Sequence, residues 1–285
     1  MKVAIFGISG QLGSDVAAAL ASHQVISVEH ARGDIRDGDA VTTIVRDARP
    51  GWVVNCAAMT HVERCETEPL EAFAANALGA RHVAQAATAA GARILHVSTD
   101  YVFDGARRTP YTEDDLPRPI NLYGASKLSG EWAVRAEARH VVVRTSGLYG
   151  FNACRGKGGN FVETMLKRAD SGAPTRVVSD ETLTPTFSVD LAAQIRTMIE
   201  RDVAPGVYHA TNAGSCSWFE FACEIFRLRG AAAAPQSISA AEWKSPVRRP
   251  HYSVLENRAL AALKLDIMPE WRDALARYMA GRPAA

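Results

Sequence analysis

Short apolar runs alternate with segments of helical periodicity through the first 150 residues, and this alternation constrains the fold more than any other feature of the chain. A run of about four to eight apolar residues is typical of a buried strand, whereas apolar residues at i, i+4 and i+8 mark one face of a helix. Strands that alternate with helices form a parallel sheet covered on both faces. The predicted strands are 3–6, 25–28, 52–54, 94–97 and 141–143, and the predicted helices are 12–20, 37–49, 69–90 and 123–139.

Three glycines separate the first predicted strand from the first predicted helix. Gly7, Gly10 and Gly13 have the spacing G-x-x-G-x-x-G, and Gln11 and Leu12 lie between the second and third. Glycines here permit a tight turn and close approach to a pyrophosphate, and the helix N-terminus offers unpaired N–H groups to an anion. Because the turn follows a strand and opens an amphipathic helix, it favours dinucleotide binding over a plain strand–helix turn. The predicted fold class is α/β, with a doubly wound parallel sheet of the Rossmann type.

Residues after the second predicted strand bear on which cofactor binds. An acidic residue about 20 positions beyond the glycines bonds the adenosine ribose of NAD, and Glu29 occupies that position. His30 and Arg32 follow at once and can instead meet the 2′-phosphate of NADP. Asp34 and Ile35 are candidates for lining the adenine pocket. The sequence therefore predicts NAD(H) or NADP(H) and leaves the choice open, with solvated surface as the plain alternative for Glu29, His30 and Arg32.

A tyrosine and a lysine four residues apart predict the chemistry. Tyr123 and Lys127 form the pattern Y-x-x-x-K and share one face if the segment is helical. A lysine beside a phenol favours the phenolate, which suits a tyrosine to general acid catalysis. Alone, such a pair is an ordinary surface pair. However, Thr99 follows the fourth predicted strand at the carboxyl edge of the sheet, where ligands bind, and its hydroxyl can hydrogen-bond a substrate carbonyl.

The pattern changes after Gly150. Residues 151–159 are predicted to form a loop, helices are predicted at 160–169 and 189–199, and Ser217 matches a helix capping box. We therefore predict a dinucleotide-binding Rossmann domain over 1–150 and a smaller, mixed α/β substrate-binding region over 151–285, with some of its segments returning to the Rossmann core.

Composition excludes several classes of function. The formal net charge is +1 without a basic block, which argues against a nucleic-acid partner. The five cysteines include no C-x-x-C pair and the histidines show no metal-binding spacing, so neither a disulfide framework nor a metal site is predicted. The first apolar run is too short for a signal peptide, and no stretch is long enough to span a membrane. The expected location is the cytoplasm.

The chain resembles the extended short-chain dehydrogenases/reductases and, among them, the dTDP-4-dehydrorhamnose reductase family. The resemblance covers essentially the whole chain. Its most specific part is Ser98-Thr99-Asp100-Tyr101-Val102-Phe103-Asp104-Gly105. Further matches are the opening glycines, 123–127 with Gly130-Glu131, 159–162, Pro185-Thr186, 190–192, Arg249-Pro250, Ser253, Leu255 and 269–271.

The resemblance implies reduction of the 4-keto group of a nucleotide-linked deoxysugar, dTDP-4-dehydro-L-rhamnose to dTDP-L-rhamnose in this family. It implies that Tyr123 protonates the sugar oxygen, that Lys127 tunes Tyr123 and bonds the nicotinamide ribose, and that Thr99 orients the carbonyl. Both Tyr123 and Lys127 would thus also contact the cofactor. The other expected cofactor residues are Cys56, Ala57, Ala58, Thr60 and Asn76, and the expected substrate residues are Thr60, Val62, Thr99, Asp100, Asn160 and Arg249.

One departure from the family pattern leaves the sugar open. Many members have a tryptophan after the Arg-Thr-Ser run, where it can flank the sugar, but here Gly147 follows Arg144-Thr145-Ser146. The 151–159 loop is also longer than usual. It either alters the sugar specificity or is a harmless insertion.

Two other functions compete with reduction. Dehydratases and epimerases share the scaffold, but such dehydratases place an Asp-Glu pair after the threonine, whereas here Tyr101 follows Asp100. A relative of the reductases serves as the regulatory subunit of methionine adenosyltransferase and binds NADP, which predicts cofactor binding without turnover. Relatives often form homodimers, so a homodimer is also expected.

Overall fold

The computed structural model describes residues 1–137, 139–152 and 159–282. The strands, in chain order, are β1 (Lys2–Phe6), β2 (Gln24–Val28), β3 (Trp52–Asn55), β4 (Arg93–Thr99), β5 (His140–Thr145), β6 (Leu148–Tyr149), β7 (Arg176–Val178), β8 (Thr182–Leu183), β9 (Thr186–Phe187), β10 (Gly206–His209), β11 (Cys216–Ser217) and β12 (Gln236–Ile238). The α-helices are α1 (Gln11–Ala19), α2 (Gly38–Ala48), α3 (Val62–Thr67), α4 (Pro69–Phe73), α5 (Ala80–Ala89), α6 (Leu122–Arg135), α7 (Phe161–Ser171), α8 (Ser188–Glu200), α9 (Trp218–Arg229), α10 (Ala240–Trp243), α11 (Arg258–Ala262) and α12 (Trp271–Gly281).

Six strands form one parallel sheet in the order β10-β5-β4-β3-β1-β2. From β1 the chain moves outward to β2 and then crosses back to β3 on the other side of β1. Such a reversal opens a crevice at the carboxyl ends of the strands, which is where ligands bind in open α/β sheets. The predicted α/β fold with a doubly wound, Rossmann-type sheet is therefore confirmed.

Side chains of β1 alternate between two cores on opposite faces of the sheet, as a strand requires. Val3 and Ile5 face one core, which α1 and α8 cover, and Ala4 and Phe6 face the other, which includes α2, α5 and α6. Because α8 follows residue 150 in the chain, the second half helps to build the central layers.

Most of the predicted elements are present, and their ends follow local chemistry. The Asp37 side chain accepts a hydrogen bond from Ala40 N at the start of α2, and Ser217 forms the predicted capping box of α9. The helical run from Pro69 continues into α5 through a π-helical stretch, Ala74–Gly79, and Gly91 follows it with a φ of +71°.

One helix end was predicted wrongly, and eleven of the elements named above were missed. Helix α6 ends at Arg135 rather than at 139, because the chain turns at 136–137 to bring His140 into β5. The missed elements are α3, α10, α11, α12 and the strands β6 to β12. Among them, β10 completes the central sheet beside β5.

A third core, rich in aromatic side chains, lies in the part of the chain after β5. Tyr149, Phe187, Phe221, Trp271 and Tyr278 are buried in it. This core joins β6 and β9 to α7, α9 and α12, and it forms the far wall of the cleft described below. In the described part of the chain, no helix has the length and apolar character needed to cross a membrane.

Candidate active site

A cleft of about 940 Å³ opens at the carboxyl ends of β1, β3, β4 and β5. Its floor is the turn after β1, and its far wall comes from the part of the chain after β5. The volume lies within the range of roughly 300–1,000 Å³ that is typical of ligand and cofactor sites.

The glycine turn brings the backbone close to the cleft at points where no other residue fits. A Cβ on Gly7, which has a φ of +75°, would lie 2.7 Å from Ala57 N, and a Cβ on Gly13 would lie 2.2 Å from Gly7 O. Gly10 N donates to Gly7 O (3.0 Å), and Gly10 caps α1 without a side chain. The N-terminal N–H groups of α1 thus face the cleft beside Gln11 and Leu12, as anion binding requires.

The structure separates the five residues predicted for the adenosine end. His30, Asp34 and Ile35 line the cleft, whereas Glu29 and Arg32 do not. Glu29 O accepts hydrogen bonds from the N–H groups of Arg32 and Gly33 (3.0 and 2.9 Å), and the resulting turn leaves the Glu29 and Arg32 side chains exposed.

Arg36 lines the same end of the cleft and was missed in the sequence. Its guanidinium pairs with Asp34 (Nη2 to Oδ2, 2.6 Å) and with Glu71 of α4 (Nη1 to Oε2, 2.5 Å). The hydrogen bond from Arg36 is the main cause that lowers the pKa of Asp34. A basic residue directly after Asp34-Ile35 was the available signal.

Helix α6 carries both Tyr123 and Lys127 to the cleft wall. The Lys127 side chain is buried, its Nζ donates to Val97 O (2.7 Å), and His96 Nε2 lies 3.3 Å from Nζ. Burial lowers the pKa of Lys127 to about 8, so the side chain is only partly charged near that pH. The rings of Tyr101 and Tyr123 meet edge-on with centroids 5.7 Å apart.

Thr99, the last residue of β4, and Asp100, which follows it, form a hydrogen-bonded pair. Thr99 Oγ1 donates to Asp100 Oδ1 (3.0 Å) and accepts from Tyr101 N (3.2 Å). Ser146 donates to the other carboxylate oxygen (2.8 Å), and Ser253 also hydrogen-bonds Asp100. Burial nevertheless raises the pKa of Asp100. The Thr99 hydroxyl proton therefore points at Asp100 and has to turn before it can be given to a substrate carbonyl.

The loop after β3 forms the wall between β1 and α6. Cys56, Ala57, Ala58 and Thr60 in this loop line the cleft, as does Val62, the first residue of α3.

Asn76, expected to contact the cofactor, lies behind that loop instead. Its Oδ1 accepts from Met59 N (2.8 Å), and its Nδ2 donates to Met59 O (3.0 Å) and Ser126 Oγ (2.9 Å). Asn76 therefore ties the loop to α6, and it sits in the π-helical stretch, a distortion that is frequent at functional sites.

Two residues expected to bind substrate are already engaged with protein groups. Asn160 lines the cleft, but it caps α7 through Glu163 N (3.0 Å) and donates to Gly150 O (2.9 Å). Arg249 does not line the cleft; Nη1 donates to Ser245 Oγ (2.6 Å) and Nη2 pairs with Glu63 of α3. A diphosphate that reaches Arg249 has to displace the Glu63 carboxylate.

The position of the missing tryptophan is closed by a neighbouring side chain. Gly147 has a φ of +54°, and a Cβ there would lie 2.7 Å from Leu183 Cδ1. Two of the aromatic side chains that line the cleft, Phe161 and Trp218, have ring centroids 4.6 Å apart, and neither was predicted to face a ligand. Residues 153–158 of the predicted loop lie outside the described residues.

The fold and the cleft define a Rossmann-type α/β protein with a Tyr-x-x-x-Lys pair at the carboxyl edge of its sheet. Comparison with known proteins narrows this class. The family model described as the RmlD substrate binding domain matches residues 1–282. The chain therefore belongs to the dTDP-4-dehydrorhamnose reductase family, which confirms the resemblance read from the sequence.

Individual relatives match over almost their full lengths. The spore coat polysaccharide biosynthesis protein SpsK of Bacillus subtilis is 39% identical, with 100% of this chain and 99% of SpsK covered. The dTDP-4-dehydrorhamnose reductase of Sinorhizobium fredii is 35% identical, with 98% and 97% covered. The crystal structure of the dTDP-4-dehydrorhamnose reductase of Bacillus anthracis in complex with NADP superposes with a TM-score of 0.94 at 36% identity and covers 99% of both chains.

Proposed function

We propose that this protein reduces the 4-keto group of a dTDP-linked deoxysugar with NADPH or NADH, converting dTDP-4-dehydro-L-rhamnose to dTDP-L-rhamnose. The observation that carries the proposal is the convergence of Thr99, Tyr123 and Lys127 on one cleft whose floor is the glycine turn. Relatives that carry the name dTDP-4-dehydrorhamnose reductase, one of them solved with NADP, support this substrate and cofactor.

The residues of the turn fit a dinucleotide. Gly7 and Gly13 permit a turn so tight that a Cβ at either position would clash with the protein's own backbone, and α1 presents its N-terminal N–H groups to the pyrophosphate. His30, Asp34, Ile35 and Arg36 would hold the adenosine end, with His30 and Arg36 as the groups that can meet a 2′-phosphate. When bound, the nicotinamide supplies the hydride.

The proton comes from this chain. As negative charge develops on the sugar O4, the Tyr123 hydroxyl donates its proton to that oxygen. Lys127, one turn further along α6, positions the nicotinamide ribose. Its ammonium form stabilises the phenolate that remains on Tyr123 after the proton is donated. Thr99 orients the carbonyl once its proton has turned away from Asp100.

A dehydratase of the related type would need an Asp-Glu pair after the threonine. Asp100 is held by three hydroxyls and Tyr101 follows it, so the Asp-Glu pair of such dehydratases is replaced by one engaged carboxylate. Reduction is therefore favoured over removal of water. The homodimer and the cytoplasmic location stay predictions.

The test is oxidation of NADPH and of NADH with freshly generated dTDP-4-dehydro-L-rhamnose, with identification of the sugar product. We expect Tyr123→Phe to lower turnover by roughly 10²–10⁴-fold, because a positioned proton donor contributes about that much. Cofactor affinity should change by no more than a few fold.

The matched control is Tyr208→Phe on β10, which removes a hydroxyl that donates to Ala204 O. Unchanged turnover in Tyr123→Phe removes Tyr123 from the mechanism. Tight cofactor binding without turnover by the wild type favours the regulatory-subunit alternative.

A further inference from the structure

A chain of hydrogen bonds runs from the cleft wall to Lys127, and its direction is fixed at one end. Ala57 N donates to Asn55 Oδ1 (3.1 Å), so the Asn55 amide can present only its NH₂ group to the next partner. That partner is His96 Nδ1, 3.1 Å from Asn55 Nδ2. Asn55, His96 and Lys127 are all buried, so water does not compete for these groups.

The single proton of His96 is thereby placed on the far nitrogen of the ring. Burial is the main cause that holds the pKa of His96 well below its ordinary value, so the ring is neutral and carries one N–H. Because Nδ1 accepts from Asn55, the proton is on Nε2. The Nε2–H group faces Lys127 Nζ at 3.3 Å. Only an uncharged amine has a lone pair to accept it, so this polarity favours the uncharged form of Lys127.

Other groups around Lys127 act in both directions. Glu131 of α6 favours the ammonium, but Arg144 and Ser98 already bind its carboxylate (2.7 and 2.6 Å). The Cys56 thiol after β3 is uncharged, because burial raises its pKa to about 12. On β4, Val97 O accepts one proton from Nζ, which either form of the amine can supply. Tyr123 lies one turn earlier on α6.

We propose that Asn55 and His96 are positioning residues that set the protonation state of Lys127 through this directed chain. Neither residue is assigned contact with the substrate or the cofactor. The chain begins at the backbone of Ala57, against which Gly7 packs, so the state of the lysine is tied to the shape of the phosphate turn.

The first test needs no substrate, and it uses one variant only to assign the signal of His96. In ¹⁵N-histidine NMR spectra the protonated and bare ring nitrogens have distinct shifts, and loss of one signal in His96→Gln assigns His96. We expect the Nε2–H form of His96 in the wild type across neutral pH. The Nδ1–H form would overturn the proposal.

The second test uses Asn55→Asp to reverse the direction of the hydrogen bonds between residue 55, His96 and Lys127. Aspartate accepts from Ala57 N and also demands a proton on His96 Nδ1, which turns a bare Nε2 toward Lys127 and stabilises the ammonium. The NMR spectrum should then show the Nδ1–H form. The basic limb of the pH–turnover profile, where Lys127 loses its proton, should move to higher pH by about one unit or more. This kinetic readout rests on the proposed function, whereas the NMR readout does not.

A double variant distinguishes an effect that the hydrogen bonds transmit from the direct electrostatic effect of the added carboxylate. In His96→Leu the connection is cut, so adding Asn55→Asp should then move the pH profile by much less than it does in the wild type. An equal shift in both backgrounds would mean that the carboxylate acts on Lys127 through its charge alone, and would overturn the proposal. Wild-type-like circular dichroism spectra show that the variants are folded.

Discussion

Replacing Lys127 by methionine tests the energetic consequence of burying an amine in the cleft wall. The pKa of Lys127 falls from its ordinary 10.5 to about 8. At about 1.4 kcal/mol per pKa unit, this burial costs the folded state about 3 kcal/mol at pH 7. Between pH 8 and pH 10.5 the unfolded chain binds more protons at this site than the folded chain, so the wild type gains stability as pH rises through that window.

The measurement is urea unfolding of the wild type and Lys127→Met at pH 7 and pH 10. Relative to the variant, the wild type should gain about 2–3 kcal/mol between the two pH values. Lys167→Met is the control, because Lys167 is exposed on α7 and its difference from the wild type should stay flat. A flat difference for Lys127→Met as well, or one of opposite sign, would refute the reasoning that burial holds the amine close to neutrality.

Three further substitutions test other parts of the site. Gly13→Ala should lower NADPH affinity at least about tenfold in a fluorescence titration, since its Cβ would lie 2.2 Å from Gly7 O; wild-type affinity would contradict the tight turn. Glu131→Gln should cost about 3–5 kcal/mol in urea unfolding, because the Arg144 guanidinium stays buried without its carboxylate; a loss below about 1 kcal/mol would show that Arg144 finds other partners. Asp100→Asn should lower kcat roughly 10–100-fold with cofactor affinity retained, because one of its two oxygens no longer accepts from the hydroxyls around it; an unchanged kcat would free Thr99 from any dependence on Asp100.

Local patterns in the sequence were enough to predict the strands of the first half and most of their helices. Each of those elements carries its own apolar period, and residues at some helix ends, such as Asp37 and Gly91, mark where the helix begins or ends. Strand β10 escaped prediction because Gly206-Val207-Tyr208-His209 has no such period, and it is a strand only because β5 offers a free edge.

The motifs of the site were predictable from the sequence, but the side-chain contacts between distant residues were not. The glycine turn, Thr99, Tyr123 and Lys127 are recognisable from residue type and spacing. Distance along the chain hides the rest: Asn76 holds a loop 17 residues away, and Arg249 pairs with Glu63 186 residues away. Glu29 was placed by spacing alone, and a backbone turn that spacing does not encode directs it to solvent.

The position of β10 in the central sheet also determines when the sheet can be completed while the chain is being synthesised. Strand β5 ends at Thr145, and its outer neighbour begins about 60 residues later, at Gly206. At roughly 5–20 residues per second, a ribosome leaves that edge open for about 3–12 s. The exposed edge carries Val141, Val142 and Val143, an apolar run of the kind that pairs with other chains. Growing chains therefore expose this edge to association during this interval, after the nucleotide-binding turn has been made and before β10 pairs with β5.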